Sequence, residues 1–170
     1  MDAESEDFAR FVELRQRALL RSAWLLTGDW GLAEDLVQTA LARTWLRWER
    51  INRRDDPEIY VRKVLVSTWI NWNRRKWRGE RAVMELPDGP APGDLEAEAV
   101  ARVAVRGALG SLTNRQRAVI VLRVFDDLTE VQRAQVLGCA VGTVKSTMSQ
   151  AMTRLRAGRG LAELPERENQ

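Results

Sequence analysis

Residues 129–156 read TEVQRAQVLGCAVGTVKSTMSQAMTRLR. Thr129 and Gln132 stand at the spacing where a hydroxyl and a side-chain amide close off a helix start reciprocally, so a helix is predicted from about Glu130. Val131, Ala134 and Leu137 give it one apolar side, and Gly138 can take the left-handed conformation that ends it. The apolar pattern then restarts, with Val141, Val144, Met148, Met152 and Leu155 recurring at steps of three or four. Two short helices around a glycine-containing turn make a helix-turn-helix.

The face left over on the second helix carries Lys145, Ser146, Ser149, Gln150, Thr153, Arg154 and Arg156. All are hydrogen-bonding or cationic, and none is acidic. Such a helix can lie in a major groove, its early residues reading base edges and its basic end holding phosphates. The competing reading is an ordinary solvated helix surface in an all-α domain. The tight crossing permitted by Ala134, Gly138 and Val144 favours duplex DNA. Cys139, in the turn, reads as a small packed residue rather than a redox switch.

The whole chain of 170 residues can hold one ordinary domain or two small ones. With 45% hydrophobic and 30% charged residues it is expected to be a folded, soluble protein. The net charge of +3 is modest, but a pI near 9.6 favours an anionic partner, nucleic acid or membrane surface. No apolar run is long enough to span a bilayer and the start, MDAESED, is acidic, unlike a signal peptide, so no membrane insertion and a cytoplasmic location are expected. One cysteine excludes an intramolecular disulfide, and with no histidine beside it a zinc site is not expected. No metal, cofactor or catalytic residue is expected.

Working from the N-terminus, Phe8, Phe11, Val12, Arg15, Leu19, Ala23 and Leu26 mark an amphipathic helix, stopped at Thr27-Gly28-Asp29. A second is predicted over 32–48, its buried stripe including Leu36, Val37, Leu41, Trp45 and Trp48. Its opposite side begins with Glu34, Asp35 and Gln38. The helix dipole favours acids in a first turn, so taken alone they read as capping chemistry rather than as a docking face for a basic partner. Asp56-Pro57-Glu58 is a third helix start. The helix over 57–77 has two unlike faces: Val61, Leu65, Thr68 and Trp72 on one, Lys63, Ser67, Asn71, Arg74 and Arg78 on the other. Arg74, Arg75, Lys76 and Arg78 gather positive charge beside Trp69, Trp72 and Trp77, and cations with aromatic faces are what an unstacked strand needs. The alternative is a basic helix whose tryptophans are core. All seven tryptophans precede residue 80. Trp24, Trp45 and Trp48 are expected in the core.

Residues 79–99 hold Pro87, Pro90 and Pro92 with glycines and acids, and read as an extended linker. The fold class is therefore all-α, with two small helical domains joined by a flexible acidic linker: residues 1–79, linker 80–99, a second unit over 100–160 and a polar tail at 161–170. The second unit opens with a helix near 95–109, and Thr113 and Gln116 form another capping box. Neither unit is large enough for a generous core, so each is expected to gain stability from its partners.

Six segments in order, AEDLVQ (33–38), DPEIYVR (56–62), RR (74–75), RQR (115–117), LGC (137–139) and VGTVKS (141–146), resemble a bacterial RNA polymerase sigma factor of the small, two-domain extracytoplasmic-function class, SigE-like. The resemblance spans residues 8–157. It implies that the first domain is sigma region 2, with Glu34, Asp35, Leu36 and Gln38 docking on core RNA polymerase, which reverses the capping reading of the two acids. The helix over 57–77 would open the −10 element and hold the melted strand through Lys63, Ser67, Asn71, Arg74, Arg75, Trp77 and Arg78, since a stacked base cannot be read from inside a duplex. The second domain would be region 4, facing the −35 duplex with Thr143, Lys145, Ser146, Ser149, Gln150 and Arg154. Promoter DNA and core RNA polymerase are the implied partners. The class admits an anti-sigma factor as a third, which the sequence neither requires nor excludes.

The chain departs from the family pattern in places that bear on specificity. Ser67 stands where the base-reading part of region 2 commonly has Asn, and Asn71 where Asp or Asn is common. Gln150 stands where the family commonly has Arg, exchanging a guanine-type for an adenine-type contact. Shifted promoter preference is the expectation. The alternative function is a self-standing helix-turn-helix regulator acting without polymerase, for which the acidic segment and the basic tryptophan-rich helix would be surplus. An enzyme acting on nucleic acid has no histidine, metal cluster or phosphate loop to stand on.

Overall fold

The computed structural model describes residues 2–77 and 96–158, with side chains at all of these except 77, 96 and 97. The tail at 161–170 and most of the 80–99 linker fall outside the described residues. Among those described, every regular element is a helix. Helix α1 (Ala3–Thr27) starts five residues earlier than its apolar periodicity, because Asp2 caps it and accepts from Ser5 N at 2.8 Å. It ends at Gly28, whose φ of 70° only glycine adopts without strain. Asp29 then caps α2 (Trp30–Trp45) through Leu32 N at 2.8 Å.

The single helix expected over 32–48 is two. A break at Leu46 and Arg47 separates α2 from α3 (Trp48–Arg54). Trp48 turns inward at 2% exposure, whereas Trp45, expected in the core, is 38% exposed and packs on Phe8. Helix α4 (Pro57–Trp77) begins where its Asp-Pro-Glu start requires, with Glu58 N donating to Asp56 Oδ1 at 2.9 Å.

The second unit comprises α5 (Glu96–Gly110), α6 (Asn114–Ile120), α7 (Glu130–Leu137) and α8 (Val141–Ala157). Both expected capping boxes are formed, Thr113 with Gln116 and Thr129 with Gln132. After α6 the backbone widens into a π-helical turn over Val121–Phe125, where Asp126 N reaches back five residues to Val121 O at 3.2 Å. Asp127 follows with φ of 54°.

The two units do not rely on separate small cores. Buried residues of α1, α2 and α4 belong to one apolar cluster with those of α5, α6, the π-turn and α8. Across the seam Leu26, Leu65 and Val66 face Ala118, Val121 and Leu122. Helix α4 is consequently buried along a second stripe, Arg62, Val66 and Trp69, beside the expected Val61, Leu65 and Thr68. A helix wrapped on two sides has little amphipathic signal in its sequence.

Candidate nucleic-acid interface

The helix-turn-helix is built by local chemistry. Thr129 Oγ1 accepts from Gln132 N at 3.2 Å, and Gln132 Oε1 accepts from Thr129 N at 2.9 Å. Gly138 carries φ of 63° and closes α7, with the amides of Gly138 and Cys139 turned back onto Ala134 O. Ala134, Val144, Met148, Ala151 and Leu155 pack the motif. Val131 does not: it is 58% exposed, and Arg133, at 4%, occupies the inward position instead. Replacing Gly138 by alanine puts a Cβ into a left-handed backbone, which costs about 1–2 kcal/mol. A melting-point fall of about 2–8 °C in thermal unfolding is expected for a chain of this size.

Lys145, Ser146, Ser149, Gln150, Thr153, Arg154 and Arg156 are all exposed on α8, and Thr143 is half-buried. Lys145, Ser146, Thr153, Arg154 and Arg156 each have a partner, Thr153 Oγ1 donating to Ser149 O at 3.0 Å. Lys145 Nζ lies 3.6 Å from Glu130 Oε2, Ser146 Oγ donates to Thr143 O, and Arg154 Nη1 donates to Gln116 Oε1 at 3.4 Å. Gln150 and the Ser149 hydroxyl are exposed with no such donor bond among the described residues. No side chain caps the start of α8, where the amides of Thr143 and Val144 turn back onto Ala140 O. In the RQR segment, burial and nearby Arg106 push the Arg117 guanidinium down to about 10, still cationic near neutral pH.

Lys63, Ser67, Asn71, Arg74 and Arg75 lie exposed on α4, as their spacing demands. Ser67 Oγ is turned onto Val64 O at 3.1 Å, which shortens an already short reach. Trp69 is core at 2% exposure and offers no free face, whereas Trp72 is half-buried, packed against the core. The side chain of Trp77 and all of Arg78 lie outside the described residues.

On α2, Glu34, Asp35 and Gln38 are exposed but Leu36 is not: it is fully buried, so it supports this face from below and presents nothing to a partner. Because Asp29 is the cap, both acids sit beyond the first turn, and the capping explanation for them lapses. Leu46, 81% exposed, and Trp45 continue the same exposed arc. The periodicity reading missed both, having run α2 on to Trp48; the Trp-Leu-Arg-Trp sequence there, apolar on both sides of the helix, was the available signal.

A further polar cluster, invisible in the sequence, lies on the seam between the units. Arg62 Nη1 is 2.8 Å from Asp126 Oδ2, and the side chains are 4% and 0% exposed. Ser22 Oγ donates to Asp126 Oδ1 at 2.6 Å, and Arg62 Nη2 meets Glu58 Oε1 at 3.1 Å. Arg62 Nε has no acceptor, and Oδ2 receives a close charge rather than a well-aligned N–H. Burial raises the Asp126 carboxyl above its ordinary value, with Arg62 and Ser22 opposing.

Residues 11–79 match the model of sigma-70 region 2 and residues 102–155 that of sigma-70 region 4. The chain is 40% identical over 150 residues to the RNA polymerase sigma-E factor of Streptomyces coelicolor, covering 88% of this chain and 84% of that one. It is 32% identical over 143 residues to the ECF RNA polymerase sigma factor SigL of Mycobacterium tuberculosis, covering 81% and 80%. Among solved structures it is similar to the sigma factor RpoE in complex with the anti-sigma factor NepR from Bartonella quintana, with a TM-score of 0.73, 26% identity and coverage of 89% and 96%. CnrH, solved with the cytosolic domain of CnrY, shares the fold at a TM-score of 0.64 and 22% identity, covering 90% and 87%. With both regions in order and this degree of identity, the chain belongs to the sigma-70 family of RNA polymerase sigma factors, in the extracytoplasmic-function class.

Proposed function

We propose that the chain is a promoter-specificity subunit that binds core RNA polymerase, reads a −35 duplex with α8 and holds the opened −10 strand along α4. The reading rests on one observation above all. A single chain carries two separate exposed polar faces without acids, on α4 and α8, together with an acidic face on α2 whose carboxylates have no capping role. A duplex-binding regulator needs only α8. The catalytic chemistry would belong to the polymerase, with this chain supplying binding and position. Its place of action would be the cytoplasm; among the described residues no helix is long and apolar enough to cross a membrane. An anti-sigma factor is a further candidate partner, as RpoE has in its complex with NepR.

Glu34, Asp35, Gln38, Trp45 and Leu46 would form the polymerase contact, with Leu36 holding the face in shape. Leu46→Asp changes a side chain that is 81% exposed, so the melting temperature is expected to hold while polymerase affinity falls about tenfold, the loss of one apolar anchor of about 1.4 kcal/mol. Size-exclusion chromatography with core polymerase and a labelled promoter fragment tests the whole reading. Co-elution of all three, with the fragment lost when this chain is omitted, is the expected result. Duplex bound by the chain alone, with polymerase eluting separately, favours the self-standing regulator.

A further inference from the structure

We infer that Glu130 is a positioning residue for promoter choice: its carboxylate holds Lys145 at a guanine edge of the −35 element and keeps it off the phosphates. This role rests on α8 reading the −35 duplex. The reading face of α8 carries no acid of its own, yet α7 brings one to it. Glu130 is the first residue of α7, and its Oε2 lies 3.6 Å from Lys145 Nζ, the side chains being 37% and 63% exposed. Arg154, near the far end of α8, donates instead to a neutral partner, Gln116 Oε1, and keeps its full charge for phosphate. The other cation that Glu130 acts on, Arg133, is buried, with Nε donating to Thr129 O at 3.3 Å. Lys145 is therefore the side chain that the acid steers.

An acid at the edge of a duplex-binding face works against affinity, because it repels the phosphates near it. A surface pair of this exposure adds little to stability in return. What the pair supplies is direction. A lysine ammonium is a compact charge on a flexible stem, and beside a duplex the phosphates are its strongest attraction. With a carboxylate engaging one N–H and offsetting the charge, the remaining donors suit an uncharged acceptor, and guanine offers O6 and N7 in the major groove. Lys145 lies on the second turn of α8, in the early part of a recognition helix that meets base edges. The ordinary reading is that Glu130 only complements the dipole of α7 from its first position. That role does not depend on Lys145, so a paired substitution separates the two.

Core polymerase loaded with the full chain is equilibrated with duplexes randomised through the −35 element, and the bound duplexes are sequenced across a salt series. Glu130→Gln should cut the preference for guanine at one position by about fivefold or more, the low end of what one base contact discriminates. Its binding to the whole pool should fall more steeply with salt, the slope of log affinity on log salt growing by about 0.9, one added phosphate contact. In a Lys145→Met background, which already lacks that preference, Glu130→Gln should change neither quantity. A guanine preference that survives Glu130→Gln, an unchanged slope, or a slope that steepens equally without Lys145 overturns the assignment. If the natural chain enriches no −35 sequence with polymerase present, the sigma-factor reading fails. The salt slopes of the natural and Glu130→Gln chains on duplex alone then decide whether Glu130 restrains Lys145.

Discussion

Asp35→Arg is expected to remove polymerase binding while leaving the fold intact. Asp35 is exposed on α2, beyond the first turn, and only its backbone carbonyl is used internally, accepting from Thr39 Oγ1 at 2.8 Å. Reversing its charge therefore breaks no side-chain bond seen in the fold, and the change in helix-dipole energy is at most about 1 kcal/mol. At the interface the effect is far larger. A docking face that presents acids selects a basic partner, and a like-charge contact in its place costs several kcal/mol, about a hundredfold or more in affinity. Binding of the variant to core polymerase, measured by fluorescence anisotropy at fixed salt, should fall by that factor with an unchanged melting curve. Full binding by Asp35→Arg would show that the acids are only a solvated face.

The second large effect is a change of sequence preference at one position of the −35 element. Gln150 is exposed and uncommitted on α8, and its amide can pair two-pronged with adenine N6 and N7. Gln150→Arg replaces this with a fork suited to guanine O6 and N7. A good bidentate pair discriminates by about 1–3 kcal/mol, so the ratio of transcription from guanine and adenine promoters should move by about 5- to 150-fold toward guanine. The other −35 positions should keep their preferences. A uniform rise across all sequences would instead assign residue 150 to phosphate contact.

Much of this molecule was legible because its signals are local. Capping boxes at Thr113 and Thr129, the glycine turn at Gly138 and the Asp-Pro-Glu start of α4 involve residues within four positions of each other, and all formed as the spacing required. The exposed faces of α4 and α8 followed from the same helical period. What escaped reading depends on contacts distant in sequence. Arg62 and Asp126 are 64 positions apart, and no pattern announces that a π-turn will bring them together. The shared core likewise makes the Arg62–Val66–Trp69 stripe of α4 an inward one, against what a free amphipathic helix would show. Trp45 and Leu46 were obscured differently: a helix break at Leu46 rotates the following residues, and the apolar side chains left outside look like a continuing stripe.

The central claim is that this chain gives core polymerase its promoter choice, and transcription from a randomised library measures that most directly. The purified chain is titrated into core polymerase on duplexes randomised through both promoter elements, and the transcripts are sequenced. Transcripts that share one −35 and −10 pair at fixed spacing, absent without the chain, are the predicted result. Transcripts indifferent to sequence, or unchanged when the chain is left out, would contradict it.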